Sequence, residues 1–167
     1  NEKIIFESWT KDGPCLMKQF MQIDELGFLL EIAKSAAMKA GRFLYQNIGV
    51  KQTILLNEGR DIKLQIDTDT EGIIKDYLGK KSKFAILGEE TGLSRDLGEF
   101  YWVVDPLDGT SNFLRGIPIS CVSISLMQNL HPILGVIYDF NHDDLYYASI
   151  ESKAYLNAME MRVSKFS

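Results

Sequence analysis

FYWVVDPLDGTSNF, Phe100 to Phe113, begins as a buried strand and ends as something else. The apolar run closes on an acid, Asp105. Three residues later stands Asp108, followed by Gly109, Thr110, Ser111 and Asn112. Pro106 fixes its own φ and keeps the residue before it extended. Asp105 and Asp108 can then converge through a Pro turn, with the Leu107 carbonyl between them. Gly109 lets backbone come close to an anion, and Thr110 and Ser111 offer amides and hydroxyls. If a short helix starts here, its free N–H groups suit a phosphate.

The flanks read as alternating elements. Upstream, FAILGEE is a short strand ending at Glu89 and Glu90, and Ile62, Leu64 and Ile66 alternate as a half-buried strand ending at Asp67. TDTEGIIKDYL follows as a helix, with Asp67 or Thr68 as its cap and Asp69 and Glu71 in its first turn. Farther back, Leu26, Leu29, Leu30, Ala33, Ala36, Ala37, Ala40, Phe43 and Leu44 recur at helical spacing from Ile23 to about Tyr45. Asp24 can cap that helix, and Gly41 inside its period marks a close approach. Gln52–Leu56 reads as a strand and NEGRD as a turn. Downstream, CVSISLM, ILGVIYD and LYYASI read as strands, the last two joined by a hairpin turn, and AYLNAMEMRVS as one more hairpin. The expected class is α+β, two helices packed on a largely antiparallel sheet, with residues 1–167 as a single domain.

Composition narrows the function. The 167 residues carry a net charge of −5, which argues against a nucleic acid polymer as partner. No stretch reaches the roughly 18 apolar residues of a membrane span. Cys15 and Cys121 are too few and too far apart for a disulfide framework or a zinc site. A reducing, cytoplasmic setting is expected.

Three acidic groups thus sit at strand ends: Asp67, Glu89 with Glu90, and Asp105 with Asp108. Gathered at one sheet edge they would repel, and no run of Lys or Arg lies nearby to neutralise them all. A hard divalent cation with oxygen ligands would, and magnesium suits carboxylates, carbonyls and water. Each piece also has a plain reading. Asp-Pro and Asp-Gly are turn dipeptides, Asp67 is a helix cap, His131 a loop residue, His142 and Gly92 turn residues, and Cys121 sheet packing.

Together the pieces resemble the inositol monophosphatase family. DPLDGTSNF resembles its D-P-[IL]-D-G-T-x-N-F signature, GEET its G-E-E-[ST] element, and DIKLQIDTDTE its D-x-V-T-x-x-D-x-x-x-E element, in the family's order. GIPISCVSISL resembles the strand after the signature, and the likeness runs from about Leu26 to Ser164. It implies the N-terminal, metal-binding part of a layered sugar-phosphatase fold. It implies Mg2+ as cofactor, held by Glu89, Asp105, the Leu107 carbonyl and Asp108, with Glu90 in support. It also implies Asp67 and Thr110, with Glu89, as catalytic residues, and Gly109, Thr110 and Ser111 as substrate-binding ones. The implied reaction is hydrolysis of a small-molecule phosphomonoester, inositol monophosphate or a related sugar phosphate, by metal-activated water. Fructose-1,6-bisphosphatase and 3′(2′),5′-bisphosphate nucleotidase relatives share the signature, and an inactive metal-binding or interaction domain is a further alternative. Lys63-Leu64 replaces the family's V-T, and no lysine aligns in LLNEG, leaving Lys51 and Arg60 as loose candidates. The family's W-D-x-A-A-G element is not in these residues. A half-molecule would expose apolar sheet surface, so a homo-oligomer such as a dimer is expected.

Overall fold

A computed structural model describes residues 23–58 and 61–164. Helix α1 (Ile23–Gln46) opens the chain. Its stripe of Leu26, Leu29, Leu30, Ile32, Ala33, Ala36, Ala37, Ala40 and Leu44 is buried. The small residues let the helix lie close to its neighbours. A Cβ at Gly41 would stand 2.4 Å from the Tyr138 ring, so the close approach expected there is real. The cap expected at Asp24 falls on a side chain outside the described ones.

A hairpin of β1 (Ile54–Glu58) and β2 (Asp61–Leu64) forms a small sheet of its own. Helix α2 (Gln65–Lys81) follows at once. It begins earlier than the sequence suggests. Leu64 is the extended N-cap, and Asp67 lies inside the helix, not before it. Its Oδ2 accepts from the Leu64 N–H at 2.7 Å, satisfying a donor that the helix itself cannot.

The large sheet runs in the order β10-β9-β8-β7-β6-β5-β3-β4. Its strands are β3 (Ala85–Gly88), β4 (Gly92–Leu93), β5 (Phe100–Asp108), β6 (Cys121–Gln128), β7 (His131–Asp139), β8 (Asp144–Ser149), β9 (Tyr155–Leu156) and β10 (Met159–Glu160). His131, expected in a loop, is the first residue of β7, while His142 sits in the expected turn and bonds Asp139 through Nδ1 at 2.8 Å. Gly92 lies in β4, with φ +67°.

All the pairings of the large sheet are antiparallel except β3 with β5, which run parallel with Ala85 opposite Tyr101 and Gly88 opposite Val104. The helices pack on one face. Ile86, Trp102, Val104, Val122, Ile124, Leu126, Leu134 and Val136 meet Leu44, Leu64, Ile74 and Leu78 in one core. The α+β expectation therefore holds, with a third, five-residue helix α3 (Thr110–Leu114) added. No described helix is long and apolar enough to cross a membrane.

Candidate active site

Two parallel neighbours end at the same edge. β3 finishes at Gly88, and the Glu89 N–H carries the ladder one step further to the Val104 carbonyl at 3.1 Å. Glu89 therefore stands beside Asp105. Asp67 reaches the same edge from α2 rather than from a strand end of the large sheet.

The Asp105–Asp108 segment is not a free turn. β5 stays extended through Pro106 and takes up the extra residue as a bulge against β6, with Asp105 opposite Ser123 and Asp108 opposite Cys121. Proline is tolerated at such a bulge because no ladder donor is needed there. Asp105 Oδ1 accepts from the Leu107 N–H at 3.1 Å. The Leu107 carbonyl accepts from the Thr110 hydroxyl at 3.0 Å. Gly109 has φ +90°, and a Cβ there would meet the Ile119 carbonyl oxygen at 2.7 Å. Both facts demand glycine. The 112 and 113 amides bond back to the Gly109 carbonyl to start α3, and the Ser111 carbonyl accepts from Arg115.

Burial and neighbouring charge perturb Asp67 and Asp105. Asp67 is pushed up to about 7, first by burial and then by Glu90 and Glu89, against the opposing Leu64 N–H and Lys63. Its Oδ1 is buried and has no hydrogen-bond partner among the described residues. Asp105 is also pushed up to about 7, by burial, by the Glu89 charge and the hydrogen bond shared with it, and by Asp108. The Cys121 thiol, half-buried with Sγ 3.9 Å from Asp108 Oδ2, rises to about 11 through burial and then Asp108 and Asp105. Among the described residues, no group of three or more Asp, Glu, His or Cys side chains already has the geometry to hold a metal. The acids share a neighbourhood without closing around one point.

Two lysines enter where the sequence suggested no compensation. Lys63 lies 3.4 Å from Glu90, and Glu90 is still raised by burial, which outweighs that lysine. Lys75 lies 2.9 Å from Glu71. Lys51 is exposed, and Arg60 lies outside the described residues, as does Cys15.

Glu71 closes the DIKLQIDTDTE stretch, but the sequence reading gave it no role beyond a first-turn charge. It is fully buried, not a charge at the first turn of a helix. Oε2 accepts from the Glu90 N–H at 2.7 Å, and Oε1 accepts from the Thr91 N–H at 3.1 Å and from the Thr91 hydroxyl. Burial alone would raise its carboxyl; the bonds from Thr91, the Glu90 amide and Lys75 overcome that and hold it below the usual range. Two signals were available: its place as the last residue of that stretch, and its i+4 spacing from Asp67 and to Lys75, which puts all three on one helix face.

Comparison with known proteins completes the description. The fructose-1,6-bisphosphatase/inositol-1-monophosphatase of Aquifex aeolicus is 35% identical over 144 residues, 84% of this chain and 54% of its own length. The inositol-1-monophosphatase of Mesorhizobium japonicum is 39% identical over 140 residues, 81% of this chain and 53% of its own. The crystal structure of extragenic suppressor protein suhB from Bartonella henselae superposes with a TM-score of 0.78 at 37% identity, covering 83% of this chain and 55% of that one. The chain thus spans about half the length of these relatives. The sequence pattern of one family matches residues 25–167, and by that match the chain belongs to the inositol monophosphatase family.

Proposed function

We propose that this chain carries the cation- and phosphate-handling part of a magnesium-dependent phosphomonoesterase acting on inositol monophosphate or a related sugar phosphate. The observation that carries the reading is the parallel β3–β5 seam, which sets Glu89 beside Asp105 and Asp108 with Asp67 across from them. The donor chemistry fits a hard divalent cation: every candidate is an oxygen, burial and neighbouring acids raise Asp105 and Asp67, and the buried Asp67 Oδ1 lacks a partner among the described residues. The family is a group of metal-dependent phosphatases.

Glu89, Asp105, the Leu107 carbonyl and Asp108 would hold the ion, with Glu90 kept alongside by Lys63. A magnesium ion held by these residues would supply a lowered water pKa and offset charge on the leaving oxygen. The Thr110 hydroxyl donates its hydrogen bond to the Leu107 carbonyl, which leaves the hydroxyl's lone pairs free to accept from the attacking water. Asp67 Oδ1 accepts from the same water and orients it in line. The Gly109, Thr110 and Ser111 amides would hold the phosphate oxygens. The reading takes residues 1–167 as one α+β domain in a reducing cytoplasm, self-associating through the sheet face away from the helices. Ile137 lies exposed on that face, and sedimentation velocity over a concentration series tests the association.

The test is phosphate release from inositol 1-phosphate, fructose 1,6-bisphosphate and 3′-phosphoadenosine 5′-phosphate, with and without magnesium. Magnesium-dependent release that prefers the inositol phosphate is expected. Asp108→Asn should abolish it while barely moving the metal-free melting temperature. Normal magnesium dependence in that variant would refute the ligand assignment. Because the acids do not close around one point, a second reading is binding without turnover. Calorimetric magnesium uptake with no phosphate release from any of the three would mark it.

A further inference from the structure

We infer that Glu71 is a positioning residue: its buried carboxylate fixes the turn after β3 and so sets where Glu89 stands against Asp105. This rests on reading Glu89 as a cation ligand. Glu89 is held on both sides. Its own amide is laddered to the Val104 carbonyl, and the next amide, that of Glu90, donates to Glu71 Oε2. Thr91 adds its amide and hydroxyl to Oε1. Lys75 bonds the same oxygen, the Thr91 hydroxyl and, at 2.9 Å, the Gly92 carbonyl. One helix residue therefore collects the donors of a whole turn from another element, and the backbone on either side of the Glu89 side chain is fixed.

Gly88 belongs to the same device. A Cβ there would lie 2.3 Å from the Glu71 carboxylate carbon and from Oε1. The glycine before Glu89 is thus the space the carboxylate occupies.

A packing role does not explain this residue. A buried charge kept only to fill volume is commonly matched or bettered by an apolar side chain. The partner set also specifies the chemistry, because all of Glu71's hydrogen-bond partners here are donors and both oxygens accept. Glutamine has one acceptor oxygen, so its NH2 group would face a donor on one side or the other. Aspartate is one methylene short of the turn.

The test is a magnesium titration of the full chain by calorimetry, with melting temperature recorded beside it. Glu71→Gln is expected to raise the magnesium half-saturation by roughly 10–100-fold, the usual effect of removing a partner that orients a metal ligand. Thr91→Val should move the half-saturation in the same direction and Thr91→Ser should restore it, a series that stands even where Glu71→Gln fails to fold. A merely structural role lowers the melting temperature and leaves the half-saturation of the folded protein where it was, and that result overturns the inference. Wild-type protein that takes up no magnesium overturns the ligand reading together with this one. Wild-type uptake matched by both Glu71→Gln and Thr91→Val overturns this one alone.

Discussion

At Asp67 one carboxylate oxygen is satisfied by the Leu64 amide, while the other is buried and faces no donor among the described residues. Such a group prefers its proton. Its carboxyl rises from 3.8 to about 7 in the fold, so the folded chain binds more protons than the unfolded one between those values. The resulting stability is complete below about pH 4 and is lost as pH rises through about 7. The metal-free melting temperature is therefore expected to fall from about pH 4 to about pH 7. Asp67→Asn should reduce that slope and leave the share contributed by Asp105, which is raised alike, and an unchanged slope would show that Asp67 titrates normally. Thr110 is judged differently, by kinetics. With its proton committed to the Leu107 carbonyl, Thr110→Ala should lower kcat by about 10²-fold and leave KM nearly intact. A change confined to KM would make Thr110 a binding group only.

Helix α2 shows where a sequence can be read and where it cannot. Its Glu71 and Lys75 have the spacing of a solvated i+4 ion pair. The donors that bury Glu71 arrive from Glu90 and Thr91, which no local pattern links to it. Placing the helix start at Asp67 or Thr68 added to the error, because it put Glu71 in a first turn where an acid needs no other reason. The period of α1 and the alternation of β6 were legible, since each buries one face and so must repeat. The two residues of β4 and the bulge at Pro106 were not, being set by the neighbouring strand. Two glycines on these elements separate packing from function. Gly41→Ala drives a methyl into the Tyr138 ring and should lower stability by about 1–3 kcal/mol with magnesium affinity unchanged. Gly88→Ala overlaps the Glu71 carboxylate and should lower both. Equal magnesium affinity in the two variants would uncouple Gly88 from the site.

Across the whole molecule one core joins both long helices to the sheet. Trp102 is fully buried within it and donates to the Ser82 hydroxyl at 2.8 Å, tying β5 to the end of α2. Melting followed by tryptophan fluorescence and by helical circular dichroism should therefore coincide, and two separate midpoints would show that sheet and helices unfold independently. The exception in the sheet is its single parallel seam. Hairpin-linked strands such as β6, β7 and β8 can pair with neighbours in sequence, but β3 and β5 must meet after the intervening β4 and its loop are laid out. Until they do, Glu89 has no Asp105 beside it, and the cation has no reason to prefer the forming chain. Time order follows from topology. Magnesium should slow unfolding in stopped-flow experiments and leave the refolding rate unaltered, as expected of an interaction absent from the transition state. A refolding rate that climbs with magnesium would mean that the acids meet before the barrier is crossed.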